Sequence, residues 1–189
     1  HGMDIRPQVK THKCLAIAQI QIELGAVGIT ASKPTEALVF IESGIPSVTV
    51  AYPVVNRDSV RALLDAAERH RCDLRFVVDS LAGIDAIRTV VGTAKTAAVF
   101  LEIDVGLGRC GVLPGSSELE SIVDILRESP QLELRGILSH AGHAYAARNR
   151  DEVTAIAEAE RRQLAEVVGQ LSAGGTTVAE ISVGSTPTV

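Results

Sequence analysis

The stretch Arg6-Pro7-Gln8-Val9-Lys10-Thr11-His12-Lys13 opens the reading. A short apolar run ends in a lysine, and a hydroxyl, an imidazole and a second ammonium follow at once. A nucleophilic lysine needs its neutral amine favoured, which nearby cations and partial burial both do. Arg6, Lys13 and His12 are the groups around Lys10 that could supply such a setting. Alone, the stretch reads rather as a solvated basic patch at a strand end. The rest of the chain has to decide.

Outward from it, short Val- and Ile-rich runs alternate with longer helical patterns. Strands are expected over 5–10, 28–31, 47–51, 74–78, 97–104, 134–139 and 178–183. Most are apolar on both faces, as buried parallel strands are. Helices are expected over 13–24, 35–43, 57–70, 80–91, 117–128 and 150–171. Pro34 and Thr35 open one of them, and Gly25, Gly44, Gly92 and Gly174-Gly175 stand where helices should stop. Repeated β-α units imply a parallel α/β protein, either an open doubly wound sheet or a (β/α)8 barrel. The open sheet wants a Gly-x-Gly-x-x-Gly turn after the first strand, and Thr11-His12-Lys13 stands there instead. A barrel needs about 250 residues. At 189 residues the chain fits seven of eight units of a TIM-type barrel, truncated at its ends. The start at His1-Gly2, close before a strand, and the stop at Thr188-Val189, just after a loop, fit a portion of a longer polypeptide.

Composition narrows the function. Hydrophobic residues make up 46% and charged ones 22%, enough for one large globular core. Net charge is −5 and aromatics are 3%, which argues against a nucleic-acid partner. No apolar run is long enough to span a bilayer, and no secretory leader pattern is visible. Cys14, Cys72 and Cys110 are odd in number and widely spaced, which suggests a reducing cytoplasm rather than a disulfide framework.

In a barrel the chemistry sits at the carboxyl ends of the strands. Lys10, Glu102, Asp104 and His140 all stand at such ends, and Gly184-Ser185-Thr186 follows the last strand. The loop 183–188 offers backbone N–H groups and hydroxyls suited to a phosphate, although Gly-Ser-Thr-Pro is also an ordinary turn. The segment Glu102-Ile103-Asp104-Val105-Gly106-Leu107-Gly108-Arg109-Cys110-Gly111 can bring Arg109 over the barrel mouth as an oxyanion partner. The alternative is an arginine paired with Asp104. Cys110 reads as small packing. Ser139-His140-Ala141-Gly142-His143-Ala144-Tyr145 carries two histidines three apart, which lack a third ligand for zinc. His140 reads as a hydrogen-bonded strand end or a ring stacked on a flat ligand. Glu36, Asp79 and Lys33 also lie near strand ends and receive no role.

Taken together, residues 6–14, 102–111, 139–145 and 183–188 resemble the fold-type III pyridoxal-phosphate enzymes, in particular the D-serine dehydratase and D-threonine aldolase group, with its alanine racemase N-terminal-like barrel. The resemblance covers nearly the whole chain. It implies that Lys10 forms a Schiff base with the cofactor, that Arg109 contacts its phenolic oxygen, and that His140 packs on the ring. It also implies that Tyr145 lies near cofactor or substrate and that Gly184, Ser185 and Thr186 hold the phosphate. Gln8 departs from the histidine usual in the family. A C-terminal β domain, expected to carry a zinc or manganese ion, is absent from this chain, and so is the partner for the pyridine nitrogen. The implied activity is a lyase acting on D-3-hydroxy amino acids, by dehydration and deamination or by retro-aldol cleavage. Alternatives are an amino-acid racemase and a non-catalytic cofactor carrier. A homodimer is also implied.

Overall fold

The computed structural model describes residues 2–93 and 95–188. Six strands form one parallel sheet: β1 Ile29–Ala31, β2 Ser47–Val50, β3 Asp73–Val78, β4 Ala97–Ile103, β5 Leu132–Ser139 and β6 Glu180–Ser182. Their spatial order is their chain order, and every neighbouring pair is parallel. A doubly wound sheet would reverse direction at a switch point. This sheet winds one way throughout, as a half-barrel does.

Helices α1 Leu15–Glu23, α2 Pro34–Glu42, α3 Arg57–His70, α4 Leu81–Val91, α5 Ser117–Arg127 and α6 Arg150–Ala173 alternate with the strands. Their starts are set locally. The side chains of Asn56, Ser80, Ser116 and Asn149 accept backbone N–H bonds from Ser59, Gly83, Leu119 and Glu152. Pro34 occupies the first turn of α2, where no N–H is needed. Alternation along the strands then sorts two faces. Phe76, Val99, Leu101, Ile103 and Ile137 join Leu63, Ile84, Ile87 and Ile122 in the core between sheet and helices. Val77, Phe100 and Leu138 form a smaller cluster of their own.

Two expectations need correction. The strand over 5–10 does not form. The carbonyls of Ile5 and Pro7 accept from Val27 and Thr30, and Gln8 makes one isolated parallel bridge to Thr30. The chain then turns into a 3-10 helix, Val9–Thr11, which contains Lys10. The cause is local. Pro7 has no N–H to give a ladder, and the Val9 carbonyl accepts from both His12 (3.2 Å) and Lys13 (2.8 Å). Seven strands are therefore six and a bridge. α1 also begins later than expected, because Lys13 sits at φ 48° and Cys14 is the capping residue.

The foot of the sheet is held by charge. Asp73 accepts from Arg75 Nε (2.8 Å), Ser47 Oγ (2.9 Å) and Arg135 Nη1 (3.3 Å). Arg6 donates to Ser47 Oγ, Arg75 reaches Glu180 Oε2 at 2.7 Å, and the Arg75 guanidinium lies 5.7 Å from the Phe100 ring centroid. Burial, reinforced by Arg75, pushes the Arg6 guanidinium down to about 10. Burial alone would raise the Asp73 carboxyl, but hydrogen bonds from Arg75 and Ser47 and the Arg75 and Arg135 charges hold it below its ordinary value. A carboxylate with a depressed folded pKa stabilises fully above its unfolded value, about 3.9, and loses that stabilisation as pH falls through the folded value. Wild-type urea midpoints should thus fall as pH drops below about 4, and Asp73→Asn should flatten that fall. Equal slopes would show that Asp73 has no such role.

Candidate active site

The residues singled out for chemistry lie at the carboxyl ends of the strands or in the turns beyond them, except Arg6, which bonds Ser47 at the foot of the sheet and so supplies no charge beside Lys10. Lys10 is exposed on its 3-10 turn while its neighbour Val9 is fully buried, so the backbone is pinned and the amine is free to reach outward. Gln8, the residue that departs from the family pattern, has a local use: its side-chain oxygen accepts from the Lys10 N–H at 3.4 Å. His12 Nδ1 accepts from the Cys14 N–H, so that ring serves the backbone next to α1.

The loop after β4 is closed by its own carboxylate. Asp104 accepts from the Gly106 N–H (2.9 Å) and the Gly108 N–H (3.0 Å). Asp79, after β3, accepts from the Gly111 N–H at 3.1 Å. Gly111 needs to be glycine. Its φ is 97°, and a Cβ there would lie 2.6 Å from the Asp104 nitrogen. With Asp104 engaged by the loop, the alternative of an Arg109–Asp104 pair is not realised. Arg109 is exposed and forms no ion pair among the described residues.

β5 ends in the buried Ser139, whose hydroxyl donates to Glu160 of α6 at 2.6 Å. The next residue, His140, has Nδ1 2.8 Å from the Gly184 carbonyl oxygen. A carbonyl only accepts, so Nδ1 carries a proton. Gly142 makes room for this ring: a Cβ there would lie 2.8 Å from Nε2. One hydrogen bond thus ties the end of β5 to the loop after β6.

That loop has two kinds of hydroxyl. Ser185 is 4% exposed, and its Oγ meets the Ala141 carbonyl at 3.3 Å and Thr188 Oγ1 at 2.8 Å. It therefore anchors the Thr186–Thr188 3-10 turn to residue 141. Thr186 remains exposed. The Tyr145 phenol, itself exposed, is lowered from its ordinary pKa by hydrogen bonding with the Thr186 side chain and backbone, and further by the Lys10 charge. Lys10, Tyr145 and Thr186 therefore share one neighbourhood.

Glu102 joins the other groups. It is buried in β4, and its Oε1 accepts from the Cys110 thiol at 3.0 Å. Burial raises its pKa and Asp79 adds to the rise, while the Cys110 hydrogen bond and the Arg109 and His140 charges oppose it. From sequence alone Glu102 has no visible partner, Cys110 reads as packing, and Asp79 carries no role. No spacing rule signals a carboxylate that meets a thiol eight residues away across a glycine loop. Among the described residues no group of three or more His, Cys, Asp or Glu is placed to hold a metal ion, and no helix is long and apolar enough to cross a membrane. The described cysteines are unpaired.

Comparison with known proteins identifies relatives of the whole chain. The chain is 34% identical over 189 residues to D-threo-3-hydroxyaspartate dehydratase of Delftia sp. (strain HT23), covering 99% of this chain and 49% of that protein. It is 29% identical to D-threonine aldolase of Arthrobacter sp., covering 98% of this chain and 48% of that protein. The crystal structure of D-threonine aldolase from Filomicrobium marinum superposes with a TM-score of 0.88 at 31% identity, over 96% of this chain and 48% of that one. The chain spans about half the length of the curated relatives it matches. The family described as alanine racemase, N-terminal domain, matches residues 1–189 in full, and the chain belongs to it.

Proposed function

We propose that this chain forms the pyridoxal-phosphate-binding part of a lyase that acts on D-3-hydroxy amino acids. One observation carries the reading: an exposed amine, an unpaired guanidinium, a fixed imidazole and a Gly-Ser-Thr turn converge on one end of one parallel sheet. We also read the six strands and the bridge at Gln8 as seven units of a (β/α)8 barrel, supported by their one-directional winding. Residues 1–189 then make one partial barrel domain.

The donor set fits the cofactor. Lys10 would hold its aldehyde carbon, Arg109 its phenolic oxygen and His140 its ring. Gly184, Ser185 and Thr186 would hold its phosphate, Ser185 through its backbone because its hydroxyl is engaged. When bound, the cofactor supplies an electron sink for charge that develops at the substrate Cα. Lys10 Nζ is the exposed amine placed to take and return protons at the substrate. The Gly184 carbonyl keeps the His140 ring from rotating. Thr186 and Lys10 keep the Tyr145 phenol acidified beside them, as a polar wall of the mouth.

For the substrate class, relatives similar to this chain are a dehydratase of D-threo-3-hydroxyaspartate, a D-threonine aldolase and a D-serine dehydratase. All three names specify a D-amino acid with a hydroxyl at Cβ. Dehydration expels that hydroxyl, and hydrolysis then releases ammonia and a keto acid; aldol cleavage breaks Cα–Cβ and releases glycine or its analogue with an aldehyde. We place this chain with the dehydratases. A metal required by the whole enzyme has no donor set among the described residues and is not assigned to them. A homodimer in a reducing cytoplasm accords with this reading.

The test is direct. Borohydride reduction of the holoenzyme, followed by peptide mapping, should place the cofactor on Lys10. D-serine, D-threonine and D-3-hydroxyaspartate should then yield ammonia and keto acid. Label on Lys13 overturns the site. Racemised substrate alone would assign a racemase, and binding without turnover a carrier.

A further inference from the structure

We propose that Glu102 is a positioning residue for Arg109 and acts through the Cys110 thiol. The inference rests on the proposed function, in which Arg109 meets the cofactor. Its geometry is a chain of two contacts. Arg109 Nε lies 3.5 Å from Cys110 Sγ, and Cys110 Sγ lies 3.0 Å from Glu102 Oε1.

The chain has a direction. A thiol has one proton. Given to Glu102, it leaves the sulfur lone pairs to accept from the Arg109 N–H. Arg109 is thereby held by Nε, and its two terminal nitrogens stay free to face an oxyanion outside the loop. The rival anchor is engaged elsewhere, because all three Asp104 carboxylate contacts go to the Gly106 and Gly108 N–H groups. The relay also has a fixed base. Glu102 is 5% exposed within β4, and the loop returns to that strand through Val112, whose N–H bonds to the Glu102 carbonyl at 2.9 Å.

A merely space-filling Cys110 would need no polar partner on either side. A buried carboxylate, by contrast, must be satisfied, and this one has no cation within ion-pair distance among the described residues. The thiol is what satisfies it. Burial, with the Glu102 hydrogen bond, pushes the Cys110 thiol up to about 11, so it keeps its proton at neutral pH as the relay requires. The same shift makes it a poor nucleophile, consistent with a positioning rather than a reactive cysteine.

The test compares Cys110→Ser with Cys110→Ala in the holoenzyme, because serine can donate and accept along the same path and alanine cannot. The readout is the pH midpoint of the visible cofactor band. Cys110→Ala should move it by about one unit, in the direction of Arg109→Ala. Cys110→Ser should move it by less than half as much. The Cys110→Ala/Arg109→Ala double variant should shift no further than Arg109→Ala alone. Equal effects of serine and alanine, or additive shifts in the double variant, would overturn the relay. A second readout needs no cofactor. Iodoacetamide labelling of Cys110, mapped by mass spectrometry near pH 8.5, should rise about tenfold in Glu102→Gln, because the carboxylate that retains the thiol proton is gone. An unchanged rate overturns the Glu102 link. A wild-type protein with no visible band overturns the proposed function instead, and the labelling rate alone then decides the relay.

Discussion

Lys10→Ala in the holoenzyme should lose the visible cofactor band and lower lyase turnover by on the order of 10^4-fold, since one side chain provides both the covalent anchor and a proton-transfer group. The fold should be almost indifferent. Lys10 is exposed, and the backbone bonds that shape its turn come from Val9, His12 and Lys13. A surface truncation of this kind changes stability by about 0.5 kcal/mol or less. Absorbance, turnover and a urea midpoint together give the check. Lys13→Ala, two residues beyond that turn, should keep the band. If Lys10→Ala retained it and Lys13→Ala lost it, the anchor would be misassigned.

Gly136→Ala should have the largest effect on the fold. Gly136 lies in β5, paired with Phe100 of β4 on one side and Glu180 of β6 on the other. An added Cβ would run into the Glu180 carbonyl oxygen and lie 2.8 Å from Phe100 Cε1. The first obstacle is backbone, so it yields only if β6 moves. Overpacking of this sort costs about 3 kcal/mol or more where no side chain can rotate away. The cost should also reach the site, because β6 leads directly into Gly184, whose carbonyl fixes His140. Denaturant unfolding should show the lost stability, and titration of apoprotein should show weaker cofactor binding. Wild-type stability in Gly136→Ala would mean that β6 is not held where the structure places it.

The two variants separate what each level of description provides. Sequence pattern located β2, β3, β4 and helices α2–α5 within a residue or two, because the buried strands are mostly apolar, α3, α4 and α5 start with side-chain caps, and Pro34 opens α2, where Lys33 rather than Thr35 is the capping residue. Pattern failed at 5–10, which reads as a strand. The missing N–H of Pro7 and the double acceptor at Val9 are matters of hydrogen-bond accounting, which periodicity does not report. The site followed the same division. Lys10, Arg109, His140, Tyr145 and the 184–186 turn were legible as residue types at strand ends. Their mutual relations were not. Ser185 is expected at the phosphate, and the structure adds that its hydroxyl is buried against Ala141 and Thr188. Glu102 and Cys110 read as a bystander and a filler and are bonded to each other.

By itself, then, the sequence determined the order of β-α units, the end of the sheet at which polar chemistry collects, and the family to which those motifs point. These follow from local preferences and from the alternation of apolar and polar positions along the chain. Only the tertiary structure decided which polar groups meet. It joined His140 to Gly184 across 44 residues, Ser139 to Glu160 across 21, and Arg75 to Glu180 across 105. Such contacts depend on how strands register and loops fold back. Their strength comes from burial, which a linear pattern of residues does not contain.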